Sequence, residues 1–331
     1  MALLRIALLG GVTVAHDGIS APLKITRTGQ TLLAYMMING YRQHPRDVLA
    51  DLIWGEQTQT QAHRCLSTAL WRLRRELEPP GVPRGTYLMT SASGDIGFNW
   101  ESDHWLDVAA FESQLGDALA RPLEQMEPAD ADRIEAGLRL YRGDCLEGFY
   151  DHWALAHREH LFCLYLNGLT RLMRFHARNG QYEAGLSYGL KALQHDPLRE
   201  ETQREVIRLY WLTGQRSQAI RQYEACRTLL ANELGIAPME ETQALYHQIS
   251  QEPAEPHGGS PALAQLADSP APPVELRAVA PPTSTALAKP TELSDIELRL
   301  EEAIRMLNRA SDHLQSVVRL LEEQTLHQGQ R

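Results

Sequence analysis

The chain has 331 residues, 43% of them hydrophobic, with 32 Lys and Arg against 42 Asp and Glu for a formal net charge of −10. That length has room for two domains of ordinary size plus extensions. No apolar run approaches the roughly 18–20 residues that a membrane span needs, and MALLRIALLGG, interrupted by Arg5, lacks the parts of a signal peptide, so no membrane is expected and residence is expected to be cytoplasmic.

At the front, 4–9 and 11–15 are short apolar runs separated by glycines, consistent with a small N-terminal sheet. Residues 31–39 carry Leu32, Leu33, Met36 and Met37 and stop at Gly40, a helix and its C-terminal punctuator. Pro45 opens a second helix, RDVLADLIW, expected to turn Val48, Leu49, Leu52 and Ile53 inward and to close at Gly55. The third helix, 58–77, reads TQTQAHRCLSTALWRLRREL. Leu66, Leu70, Leu73 and Leu77 form one apolar stripe, and Arg64, Thr68, Arg72 and Arg75 lie opposite. Thr58 followed by Gln61 resembles a capping box that would fix the helix start. After it, 86–91 and 96–99 read as two strands of a hairpin around Ser93-Gly94, in the place of a wing. Three short helices, the last of them basic, with strands before and after describe a winged helix.

The polar face of the third helix suits the major groove of DNA. Arg bonds guanine bidentately, and Thr bonds a base edge or packs on a thymine methyl. The competing description is a solvated surface helix. The net negative charge is not uniform: residues 1–100 hold ten Lys and Arg against seven Asp and Glu, a local +3 that leaves −13 for the remainder. Phosphate attraction follows the local field over about 8–10 Å, so the overall acidity does not exclude DNA. So modest an excess implies weak non-specific binding, with affinity depending on two paired copies.

Residues 101–252 are expected to be helical and partly repetitive. Gly180-Gln181 and Gly214-Gln215 stand 34 residues apart, the period of a tetratricopeptide repeat. Tyr182, Ala192, Leu193 and Pro197 fit one copy and Ala219 and Tyr223 the next, while Gly185 and Gly189 stand where larger or Ala-type residues are usual. Such helix pairs stack into a surface that binds peptides or a sister subunit. The histidines of DHWALAHREH (151–160) match no zincin spacing, the four cysteines (65, 145, 163, 226) show no CxxC pattern, and there is no GxxxxGK[ST] loop. No metal, cofactor or catalytic set is therefore expected, and the chain reads as a non-enzyme.

Nine of the eighteen prolines fall in 252–292, amid Ala, Ser and Thr, the composition of a disordered linker. Beyond it Leu293, Leu300, Leu307, Leu314 and Leu321 recur every seven residues, with Ile296, Ala303, Ala310 and Val317 three further on. That seam predicts a coiled coil over 293–327 in which Leu293, Ile296, Leu300, Leu307, Leu314, Val317 and Leu321 make a homo-oligomer. Docking of this helix back onto the helical region is the alternative.

The order Leu8-Leu9-Gly10-Gly11, DVLADLIWG and LWRLRREL resembles the OmpR-type winged helix, and within it the Streptomyces antibiotic regulatory protein family. The likeness continues through DHWLDVAAFE (103–112), YRGDCLEGFYDHWA (141–154), DPLREE (196–201) and ELGIAP (233–238), and spans roughly residues 3 to 250. The fold expected is mainly α with a small β component: a winged helix over 1–100, a tetratricopeptide-like bacterial transcriptional activator domain over 101–252, a Pro-rich linker over 253–292 and the coil. The expected DNA-contacting residues are Arg64, Ser67, Thr68, Trp71, Arg72, Arg74 and Arg75 of the third helix and Thr90 and Ser91 of the wing. Arg74 and Arg75 stand nearer phosphates, and Trp71 serves either to stack on DNA or to pack at the helix–wing joint. The family resemblance implies an activator that binds promoter direct repeats in double-stranded DNA and recruits RNA polymerase. A ligand- or peptide-sensing repressor and a protein-binding scaffold are the competing functions.

Overall fold

The computed structural model of the chain describes residues 4–16, 19–21, 25–40 and 42–251. The linker and coiled coil expected beyond residue 252 lie outside the described residues. Strands β1 (Leu4–Ala7), β2 (Thr13–His16) and β3 (Ile19–Ala21) form an antiparallel meander. A later strand, β6 (His104–Leu106), returns to pair parallel with β1, in the sheet order β3-β2-β1-β6. Leu4 and Ile6 are fully buried on one face, while Arg5 on the other lies over the Trp105 ring at 5.6 Å, the alternation expected of a sheet with one packed side.

Between β3 and β6 lie α1 (Arg27–Ile38), α2 (Arg46–Trp54), α3 (Gln59–Leu77) and the hairpin β4 (Leu88–Thr90) and β5 (Ile96–Phe98). The first helix starts a turn earlier than its apolar pattern suggests, because Thr26 accepts the Gly29 N–H at 3.4 Å as its N-cap. Gly40 does not cap it. The helix ends at Ile38 with Asn39 as its C-cap, and Gly40 makes room for Trp100, whose ring would stand 2.2 Å from an added Cβ. In α2 only Leu49 and Ala50 are buried and Ile53 is partly so; Val48 and Leu52, expected inside, are 48% and 38% exposed. A nine-residue helix laid against α1 and α3 covers a narrower stripe than its apolar content allows. The hairpin ladder is also shorter than expected, and His44 joins it as a third partner, exchanging backbone bonds of 2.8 and 2.9 Å with Ile96.

The second half is helical: α4 (Asp107–Ala120), α5 (Pro128–Leu138), α6 (His152–Arg178), α7 (Tyr182–His195), α8 (Glu200–Leu212), α9 (Arg216–Leu234) and α10 (Glu240–Gln251). Gly180 and Gly214, at φ +72° and +76°, turn the chain between α6 and α7 and between α8 and α9, so the 34-residue spacing is that of two helix hairpins. The unusual glycines of α7 have a packing cause. A Cβ on Gly189 would lie 2.6 Å from Val206 Cγ2 and 2.7 Å from Met173 Sδ, so α7 is seated tightly between α6 and α8. The last helix closes the stack with Leu245 and Ile249 against Ile207, Ala219 and Tyr223.

One continuous core runs from Leu4 and Ile6 through the leucines of α3 to Phe111, Leu115, Leu166 and Phe175, and the two halves form one compact unit. Their seam is polar as well as apolar. Asp107, fully buried, accepts the N–H groups of Leu8 (2.8 Å), Leu9 (3.0 Å) and Val108 (2.8 Å). The loop after α5 adds Gly10 N–H to Asp144 O at 3.0 Å and Leu146 N–H to Leu8 O at 2.8 Å. Arg158 of α6 then donates to the carbonyls of Cys145, Leu146 and Phe149 at 3.0, 2.6 and 2.8 Å. Leu146 sits at φ +52°, a left-handed conformation unusual for a branched residue, held by these bonds on both its N–H and its carbonyl.

Candidate nucleic-acid interface

Helix α3 is amphipathic as its spacing predicts. Leu66, Leu73 and Leu77 are fully buried and Leu70 nearly so, with Ala62 and Ala69 filling the narrow places against α1 and α2. The opposite face stands free: Arg64, Ser67, Thr68, Trp71, Arg72 and Arg75 are all exposed. Thr58 is the N-cap residue, yet its hydroxyl donates to Gln61 Oε1 at 3.0 Å instead of accepting a backbone N–H, so the expected capping box does not close.

The two hydroxyls on that face have defined partners. Thr68 donates its hydroxyl to Arg64 O at 3.0 Å and remains exposed. Ser67 donates to His63 O at 2.8 Å and accepts Arg46 Nη2 at 2.8 Å. One turn back, His63 Nε2 lies 2.7 Å from Asp47 Oδ1. The start of α2 thus braces the middle of α3 and brings the Arg46 guanidinium to the edge of the exposed face. Arg46 escapes an analysis of α3 alone; the sequence signal for it is a charged pair, Arg46-Asp47, in the first turn of the preceding helix.

Trp71 is 62% exposed, with the Arg75 guanidinium carbon 5.3 Å from its ring centre. It does not pack at the helix–wing joint, because its position on α3 falls outside the buried leucine stripe. Arg74 departs from its expected place near phosphates. Only 22% exposed, it donates to Leu88 O at 2.8 Å and lies 3.5 Å from Glu78 Oε2, so its charge is spent inside the protein. In the wing, Thr90 is exposed, but Ser91 is already engaged: its hydroxyl accepts Asp95 N–H at 3.0 Å and shares a 2.7 Å bond with Ser93, which donates to Asp95 Oδ2 at 2.8 Å. The tip is a self-bonded turn with an acidic centre, and Thr90 is its free hydroxyl.

No helix among the described residues is long and apolar enough to cross a membrane. Residues 106–250 match the family described as the bacterial transcriptional activator domain. The chain is 27% identical over 287 residues to the regulatory protein AfsR of Streptomyces coelicolor, a match covering 83% of this chain and 26% of AfsR. It therefore spans about a quarter of that relative's length. Against the regulatory protein DnrI of Streptomyces peucetius it is 27% identical over 255 residues, 74% of this chain and 92% of DnrI. Its fold is similar to that of Mycobacterium tuberculosis EmbR, solved in complex with a low-affinity phosphopeptide, at a TM-score of 0.62 and 22% identity over 76% of this chain and 66% of that one. The match to the activator domain and the alignment with these regulators over about three quarters or more of the chain support its assignment as a transcriptional regulator similar to the Streptomyces antibiotic regulatory proteins.

Proposed function

We propose that the chain activates transcription by inserting the exposed face of α3 into the major groove of promoter DNA. The observation that carries this reading is the free row of Arg64, Thr68, Arg72 and Arg75 opposite a wholly buried leucine stripe. Arg64, Thr68 and Arg72 read base edges, Arg75 meets the backbone, and Trp71 stacks on a sugar or base at the helix's outer edge. The wing adds Thr90. The helical half, rigidly joined at the Asp107 seam, presents a surface to RNA polymerase.

Two copies on a direct repeat offset the small positive excess of each DNA-binding unit. The heptad leucines from Leu293 to Leu321 support pairing through 293–327, and a tether of about forty residues would hold the second unit at an effective concentration of about a millimolar. The first test is a mobility shift with DNA from upstream of the chain's own gene against a scrambled duplex of equal composition. Retardation of the natural duplex alone is expected, and equal retardation of both contradicts base reading. Light scattering at tens of micromolar is expected to give a dimer. A monomer would remove the tail from the account.

A further inference from the structure

The last turn of α3 carries Arg74, and its C-cap residue is Glu78; neither belongs to the exposed face. Glu78, with its side chain only 2% exposed, accepts through Oε1 the backbone N–H groups of Gly85, Tyr87 and Leu88, each at 3.0 Å. Arg74 Nη2 donates to Leu88 O, and its Nε faces the other carboxylate oxygen. Both backbone groups of Leu88, the first residue of β4, are thereby held by two side chains of the recognition helix. On its other side β4 is paired with β5, where Asn99 N–H bonds Tyr87 O at 2.8 Å. The inner edge of the hairpin, which would otherwise need another strand, ends instead on a carboxylate and a guanidinium. The opposite edge is tied separately, through the two backbone bonds between His44 and Ile96 of β5, while Ser91, Ser93 and Asp95 of the tip bond among themselves.

We propose that Arg74 and Glu78 are positioning residues that set where the wing stands relative to α3, and that they act on DNA binding without touching DNA. The inference rests on the reading of α3 as the DNA-contacting helix, and it adds how the second contacting element is kept in register with the first. A charge-assisted bond from one oxygen to three N–H groups is strong and directional. It holds the β4 edge of the hairpin against the end of α3, while His44 holds the β5 edge, so losing the Glu78 and Arg74 contacts frees one of the two edges. The alternative is purely electrostatic: Arg74 as a phosphate contact and Glu78 as a repulsive charge that weakens binding.

Two substitutions at one position separate these. Glu78→Ala and Glu78→Gln remove the same negative charge, but the Gln amide oxygen can still accept the three N–H groups. Positioning predicts that Glu78→Ala weakens binding of the cognate duplex about tenfold while Glu78→Gln restores most of it, with the salt slope unchanged in both. Simple electrostatics predicts that both bind as tightly as the unaltered chain or more tightly, and that result overturns the proposal. Should Glu78→Ala fail to fold, Arg74→Met keeps the apolar stem and is expected to weaken binding without flattening the salt dependence. Arg75→Ala, by contrast, should reduce that slope by about one; flattening by Arg74→Met as well would make Arg74 a phosphate contact. Hydrogen exchange without DNA gives an independent reading: the amides of Gly85, Tyr87 and Leu88 are expected to lose protection in the substituted chains, and unchanged protection there refutes the latch. If the unaltered chain has no DNA sequence preference, the function assigned to α3 fails, while the exchange measurement still decides whether the pair holds the wing.

Discussion

Asp107→Ala should be the most damaging single substitution at the seam between the winged helix and the helical half. The carboxylate is fully buried and is the acceptor for three N–H groups, those of Leu8, Leu9 and Val108. Burial pushes its carboxyl above the ordinary 3.8, against the pull of those three donors and of Arg142 at 4.0 Å. Each donor stranded without water costs about 1–3 kcal/mol. Partial relaxation and entry of water into the space left behind bring the expected total to about 3–5 kcal/mol. Against a typical stability of about 5–15 kcal/mol, that is a large fraction. Asp107→Asn keeps an oxygen for Leu8 and Val108 but turns an NH2 toward the Leu9 N–H, and should lose roughly half as much. Urea unfolding followed by circular dichroism measures both, and native-state exchange should show the Leu8 and Leu9 amides opening first. A loss below about 1 kcal/mol for the Ala variant would mean that the seam is held by its apolar contacts and that the polar account of it is wrong.

Three further outcomes follow from the same geometry. His44 is 3% exposed beneath the wing, and burial, with Arg42 nearby, lowers its pKa below the ordinary 6.5. The folded state therefore holds it neutral, and stability should fall as pH drops through 6.5 toward the lowered folded-state value; a urea midpoint that is flat from pH 7.5 to 5.5 would contradict this. Gly189→Ala forces a Cβ to within 2.6 Å of Val206 Cγ2, and a loss of about 1–3 kcal/mol in thermal unfolding is expected, with no loss meaning that α7 can slide. Arg158→Ala frees three carbonyls and the left-handed Leu146. It should cost about 2–4 kcal/mol and expose the 141–150 loop to protease, whereas an unaltered digestion pattern would remove Arg158 from the seam.

The repeating features were legible in the sequence. The leucine stripe of α3, the two turn glycines 34 residues apart and the hairpin around Gly94 are local patterns with a period, and each falls where its spacing put it. What eluded the sequence depends on contacts across long separations. Gly40 reads as a helix terminator because glycine often is one, and its packing role shows only in the approach of Trp100, sixty residues away. Val48 and Leu52 are apolar and by composition belong inward, but a short helix packed against two others buries only one edge. Arg74 lies one residue from Arg75 and looks equivalent in composition. The 100° step between them turns one toward Leu88 and Glu78 and leaves the other on the exposed face. The candidate DNA face was legible for the same reason as the stripe, since it is its complement. The bracing of that face by Arg46 and Asp47 required the packing of α2 on α3.

Whether the free face of α3 reads bases is tested most directly by competition binding with Arg72→Ala and Arg75→Ala. Affinities for a cognate duplex and a random one, each at two salt concentrations, give four numbers per protein. Arg72→Ala should weaken the cognate duplex by about 1–3 kcal/mol and leave the random one nearly unchanged, narrowing the ratio between them. Arg75→Ala should weaken both alike and flatten the salt dependence. If Arg72→Ala instead lowers both affinities by the same factor, the arginine row is a phosphate contact only, and sequence reading must be sought elsewhere in the chain.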